Sequence, residues 1–331
     1  MNHDMRKKIA RIIASDAFFK AELFTRYYAA DFTMDIPTAP PGMPNHYDTW
    51  EAETCFTWLN RTVRKWNVTL KEFYGSKDHD GLFWAIGEID ADVHWGDHDG
   101  RFASMSVLKI VVSQEGKVEY LSWRADPSEM LVAAGRKRPE FDVETAITKL
   151  DMNQYQWFRS LVHFDKEPVE YPAGNSKQDK ESRIQMIIDQ HSCGVDRERY
   201  RKLPRREEFK GGGIFIPKQQ LEATERHIDE KTGGINRVFA WVKVSSPWMY
   251  RDPRNRVYAT DDPHVYFAEM NCHGPGCWYG IEGKTGHYHQ NYLVYMRVDD
   301  EGYLTSWYEI LNNINILNAS NISMESFPYY Y

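Results

Sequence analysis

Apolar residues recur along this chain in two rhythms, helical and alternating, and the order in which the rhythms change occurs twice. Ile9, Ile12, Ile13, Phe18, Phe19, Leu23 and Phe24 keep close to helical spacing, which predicts an amphipathic helix over 5–28. A short strand over 32–36 ends at Pro37, and the string TAPPGMPN at 38–45 reads as a turn-rich loop. Asp48 is a good N-cap for a second helix reaching about Trp66. The period then falls to two. Strands are expected over about 67–75, 82–95, 101–113 and 117–125, separated by the polar turns KDHDG, GDHDG and SQEG that antiparallel hairpins require. A helix at about 127–135 and the stretch 141–164 complete the set. Helix, strand, helix and four antiparallel strands make an α+β unit, a curved sheet wrapped around helices.

The same order restarts near residue 183, with a helix over 183–202, a strand GIFIP at 213–217, a helix over 217–230 and another four-strand ending. EGKVEYLSW begins at 115 and EGYLTSW at 301, an offset of 186, and the strands before them align without a gap (101–114 against 287–300). Upstream, FYGSKDHDGLFWAIGEI (73–89) answers VYATDDPHVYFAEMN (257–271) at a slightly smaller offset. Two long copies mean duplication, since a solenoid needs three or more short units. The stretch 165–182 is rich in Pro, Gly and charge, as linkers are. The expected organisation is therefore domain 1 over 1–164, a linker over 165–182, and domain 2 over 183–331.

Composition narrows the class. The chain has 331 residues, enough for two domains that each bury a core. Apolar residues make up 42% and charged ones 27%, which is globular. A net charge of −7 gives no basic nucleic-acid surface. No apolar run is long enough to span a membrane, and MNHDMRKKIARII reads as a helix start, so the expected location is the cytoplasm. Four cysteines, Cys55, Cys193, Cys272 and Cys277, make no disulfide framework in a chain this long.

Several strings in the second copy resemble the nuclear-transport-factor-2-like (NTF2-like) superfamily, which includes SnoaL-type cyclases, and most of all its phenazine-biosynthesis A/B proteins. In that family a Thr-Asp-Asp-Pro turn leads into an aromatic strand ending in His-Gly. Here Thr260-Asp261-Asp262-Pro263 is followed by VYFAEMN and His273-Gly274. Tyr288 and Asn291 match a Tyr and Asn three apart, and Tyr308-Glu309-Ile310-Leu311-Asn312 matches the string carrying the family's acid/base Glu. The resemblance implies two tandem cone-shaped domains. It implies a cofactor-independent acid/base enzyme of secondary metabolism acting on a small polar cyclic metabolite by condensation, cyclisation, dehydration or isomerisation. The two domains would pair as an intramolecular pseudo-dimer, with further homo-oligomerisation left open. In the first copy Trp123 stands opposite Glu309, Asp90 opposite His273, and Cys55 where the family has a second acid/base His. That copy is expected to have a degenerate site.

The residues themselves support part of this. By alternation Trp307, Glu309 and Leu311 share a strand face, and a carboxyl buried between apolar neighbours is favoured in its protonated form, as a general acid near neutral pH requires. His273 and Asn271 share a face with Glu269. Glu309 and His273 are thus the expected catalytic residues, with Asn271, Tyr288, Asn291, Tyr295 and Trp307 around the substrate. In a regular strand Tyr288 and Asn291 point to opposite faces, so a β-bulge would be needed for both to line one pocket. Three alternatives compete. Cys272, Cys277, His287 and His289 have the ligand types of a zinc site, though not the spacing of a helical finger. Tyr27, Tyr28 and Asp31 would serve a scytalone-dehydratase-like reaction. A non-catalytic binding or scaffold protein would need none of these. The glycines at 211–213 precede a strand rather than a helix, so they make no phosphate loop, and neither an organic cofactor nor a metal is expected.

Overall fold

The computed structural model describes residues 1–137, 179–192, 204–214, 256–281, 284–310, 312, 314–315 and 325–330. These fall into two compact units. The first is Met1–Arg138 together with Tyr258–Pro263 and Met324–Tyr331; the second is Pro139–Val257 with His264–Ser323. Two short segments that the repeat assigns to domain 2 therefore pack with the first unit. The linker region 165–178, the stretch 141–164 and the expected helix over 217–230 lie outside the described residues.

In the first unit the leading helix is shorter than its periodicity predicts. Helix α1 spans His3–Ala14, capped by the Asn2 side chain, which accepts from the Met5 amide at 3.0 Å. It ends at Ser15, whose amide donates to the Ile12 carbonyl, and the chain then turns at Phe19, a non-glycine residue at φ 49°. Burial of both rings, Phe18 and Phe19, holds that left-handed conformation in place, and Asn60 Nδ2 donates to the Phe19 carbonyl at 2.6 Å. A 3₁₀ turn (Ala21–Leu23) and α2 (Phe24–Tyr27) follow. Strand β1 (Tyr28–Asp35) starts ahead of its expected position, and β2 (His46–Tyr47) precedes α3 (Thr49–Thr62). Asp48 and Glu51 form a reciprocal capping box at 2.9 and 3.0 Å. Helix α3 gives way before Trp66, because the alternating pattern of β3 (Val63–Gly75) begins at Val63. Strands β4 (Leu82–Trp95), β5 (His98–Val112) and β6 (Val118–Ala125), then α4 (Pro127–Ala133), follow close to expectation. The sheet order is β2-β1-β6-β5-β4-β3, with only the β1–β6 pair parallel.

The strands described after residue 179 follow the same order. Helix α5 (Lys180–Ser192) precedes β7 (Arg205–Ile214), β8 (Arg256–Ala259), β9 (Val265–Ile281), β10 (Lys284–Val298) and β11 (Leu304–Ile310). The order β7-β11-β10-β9-β8 is that of the first sheet without β2, and β7–β11 is parallel as β1–β6 is. Strands β5 and β10 begin and end 186 residues apart, at 98 and 284 and at 112 and 298.

The turns agree down to single hydrogen bonds. Gly116 and Gly302 have φ of 84° and 83°. The Gly116 amide donates to the Ser113 carbonyl at 3.1 Å, and the Gly302 amide to the Asp299 carbonyl at 3.0 Å. Ser113 Oγ and Asp299 Oδ1 each accept from the amides two and four residues on. Each glycine abuts the leading helix of its own copy, Gly116 against Met1 and Ile9, Gly302 against Lys180 and Ile184. The chain is α+β, and its two mixed sheets share one strand order.

Candidate functional site

Strand register decides which side chains can meet. In the first copy Trp123 pairs with Leu108, and in the second Glu309 pairs with Val294, so 123 and 309 are equivalent, 186 residues apart. The short strings suggest matching Trp123 to Trp307 by identity; register matches it to Glu309. Asp90 pairs with Ala103 and His273 with His289, so those two positions are equivalent as well.

Trp123 is fully buried. Its Nε1 donates to Ser106 Oγ at 2.9 Å, and its ring meets Phe19 at 4.9 Å and Phe18 at 6.0 Å. Phe56 and Trp66 extend the cluster through Phe19 and Phe18. A space of only about 130 Å³ borders Phe18, Phe19, Leu59, Asn60 and Trp66, below the ~300 Å³ at which ligand pockets usually begin. Cys55 is also fully buried, and burial pushes its thiol up to about 12, so it stays protonated at neutral pH. Neither of the two positions that the resemblance links to acid/base chemistry carries a group that titrates near neutrality here. Asp90 lies on the sheet face opposite Trp123, exposed, in a two-toothed ion pair with Arg101 at 2.7 Å for each contact.

Glu309 is 7% exposed, on the same face of β11 as Trp307. Met296 and Val294, opposite these two residues on β10, are fully buried. On its other side Glu309 pairs with Gly213, and Trp307 pairs with Gly211. The glycine run thus lies within β7, where it places two residues without side chains beside the carboxylate and the indole.

The expected site residues divide between the faces. Glu309 and Trp307 share one. Asn271, Asn291 and Tyr295 lie on the other, where Asn291 Nδ2 donates to Asn271 Oδ1 at 2.8 Å across directly paired residues. Tyr295 meets Phe267 ring to ring at 5.3 Å and accepts from Arg297 Nε at 2.5 Å. So the amide pair and Tyr295 come together, apart from Glu309. The backbone of His273 pairs with His289 and that of Tyr288 with Gly274, in a stretch without the register shift that a bulge would produce. The side chains of His273 and Tyr288, like those of Cys272, Cys277, His287 and His289, lie outside the described residues. Among the described residues no group of three or more His, Cys, Asp or Glu side chains could hold a metal ion.

Tyr28 and Asp31 border a groove of about 560 Å³ with Glu53, Glu115 and Glu119. Tyr28 is core, stacked on Phe24 at 4.9 Å, while Asp31 is exposed, so the two do not form a pair. Sequence reasoning missed the neighbour strand. Three successive glycines inside a strand were the available signal, since an interior strand glycine marks a close approach or a place kept free of side chains.

No protein-family model and no curated protein matches the chain. Solved structures do. A phenazine biosynthesis-related protein from Pseudomonas aeruginosa is 13% identical, with 42% of this chain and 91% of that one covered at a TM-score of 0.36. The BvnE pinacolase from Penicillium brevicompactum is 10% identical, covering 40% and 95% at 0.33. AusH from Aspergillus nidulans is 19% identical, covering 38% and 87% at 0.32. No helix among the described residues is long and apolar enough to cross a membrane.

Proposed function

We propose that the chain is a cofactor-independent acid/base enzyme of secondary-metabolite biosynthesis, with its working site in the second copy and Glu309 as the proton-transfer group. One observation carries this reading: a carboxyl side chain, almost wholly buried beside Trp307 and paired with Gly213, occupies the position that Trp123 fills in the first copy. A buried carboxyl can take a proton from carbon or nitrogen of a bound substrate and return it to another atom, leaving its own charge unchanged at the end of the cycle. Such a shuttle suits condensation of amine with ketone, cyclisation, dehydration or isomerisation on a small cyclic metabolite. The resemblance to phenazine A/B proteins favours the first. Trp307 supplies an aromatic wall for a planar substrate, and the glycines beside it leave room for one. Asn271, Asn291 and Tyr295 then serve the second copy from its other face, as a cross-strand amide pair and an aromatic support.

The test is Glu309→Gln, which keeps size and hydrogen bonding and removes the transferable proton. In a producing strain carrying this variant, product formation should fall by about 10²–10⁴-fold while the protein stays folded, with the loss in kcat. Full product from a well-folded variant would remove Glu309 from the chemistry. A second reading, a non-catalytic binding or scaffold protein, is favoured by the ring-filled interior around Trp123 and would then take precedence.

A further inference from the structure

Residues 325–330 follow the second copy in sequence yet belong to the first unit. Their backbone is tied down: the Phe327 amide donates to the Pro41 carbonyl at 2.7 Å, and Arg136 Nε donates to the Ser326 carbonyl at 3.1 Å. A Cβ on Gly42 would meet the Phe327 carbonyl at 2.8 Å, so the loop passes as close as a glycine allows. The Phe327 ring sits edge-on to Trp95 at 5.1 Å and Trp58 at 5.8 Å. Tyr329 sits edge-on to Trp58 at 5.0 Å and Tyr47 at 6.3 Å. The Tyr329 hydroxyl donates to Tyr330 Oη at 2.8 Å and, with Tyr47, reaches the Cys55 thiol.

This is the geometry of a ligand in a pocket. Tyr47, Cys55, Trp58 and Trp95 form the walls, and Tyr329 presents a phenol to them. Two features show that the occupant fits imperfectly. The Tyr47 hydroxyl is wholly buried, and the Tyr329 hydroxyl beside it donates away from it, to Tyr330. Tyr330 holds a left-handed backbone at φ 65° while half exposed, a conformation that non-glycine residues adopt at a cost. Both penalties end when the segment leaves.

We propose that the first copy contains a pocket for small phenolic molecules, that Tyr329 is its built-in occupant, and that residues 325–330 form a strap which a free phenol displaces. The pocket is separate from the proposed chemistry at Glu309 and does not depend on it. A ligand competing with a tethered occupant binds more weakly by the fraction of time the strap is open. Aromatic walls accept any flat ring, whereas the buried hydroxyl and thiol discriminate in favour of one bearing a hydroxyl group.

The probe is p-cresol, the free tyrosine side chain, with toluene as the control lacking the hydroxyl. In the full chain, Tyr329→Ala should bind p-cresol at least ~10-fold tighter than the unaltered protein, read by tryptophan fluorescence. Toluene should bind that variant several-fold more weakly than p-cresol. Equal p-cresol affinity with and without Tyr329, or equal affinity for the two probes, would overturn the proposal. A second measurement needs no variant. In the unaltered protein, p-cresol should speed amide hydrogen exchange at 325–330 while slowing it around Tyr47 and Trp58. Unchanged or slowed exchange at 325–330 would also overturn it.

Discussion

Strands β6 and β11 hold the same place in their two sheets, and their sixth residues, Trp123 and Glu309, have opposite consequences. Around Trp123 the first copy packs Phe18, Phe19, Phe56 and Trp66, and a left-handed Phe19 is tolerated to complete the cluster. Beside Glu309 the second copy lines up Gly211 and Gly213. The same strand position carries a packed indole in one copy and a buried carboxyl side chain in the other. A core filled by rings tolerates little else, whereas a buried carboxyl needs polar partners.

The sharpest way to break this contrast on the first side is Trp123→Ala. It should cost about 3–5 kcal/mol in denaturant unfolding, as removal of large buried aromatics does, and leave turnover per folded molecule unchanged. A fall in turnover as large as that of Glu309→Gln would show that the first copy takes part in the chemistry.

Alkaline pH tests the same copy next. Burial raises the Cys55 thiol from 9.0 to about 12 and raises the Tyr28, Tyr47 and Tyr329 hydroxyls as well. Groups raised in the folded state give stability that is complete below their unfolded values and is lost as pH climbs towards the folded ones. The melting temperature should therefore hold up to about pH 9 and fall steadily above it. Cys55→Ser, which cannot titrate in that range, should flatten part of the fall, and an identical profile would argue that the thiol is not buried as described.

The paired turns allow a finer test of likeness. Alanine at Gly116 or Gly302 must adopt a positive φ, at about 1 kcal/mol or somewhat more each. Gly302→Ala should cost more, because its new Cβ meets the Lys180 carbonyl at 2.9 Å, whereas at Gly116 it meets the movable end of Met1. The smallest effect is expected at Asp90, which holds the His273 position. Asp90→Asn removes an exposed ion pair and should leave the denaturant midpoint almost unchanged.

Much of this was legible in the sequence. The offset of 186, the alternating strands and the Asp48 cap all correspond to elements with the expected order, because period-2 burial and capping are local rules. The helix over 5–28 was overextended because the kink at Phe19 depends on distant partners, Asn60 and Trp123, that no local pattern reveals. The glycines beside Glu309 were visible as residues but not as neighbours, since parallel pairing joins strands far apart in the chain. The strap had no signal at all: FPYY reads as a tail until Pro41 and Trp58 are seen beneath it.

That strap makes the order of synthesis matter. Phe327 joins a wall built from residues more than 200 positions earlier, so the first copy lacks that cover when its own strands leave the ribosome. At ~5–20 residues per second the wait between β6 and Phe327 is roughly 10–40 s. During that interval Tyr47, Trp58 and Trp95 lack the cover that Phe327 and Tyr329 later provide. Chains stopped before residue 325 should aggregate or be degraded far more readily than complete ones, even with both sheets fully translated.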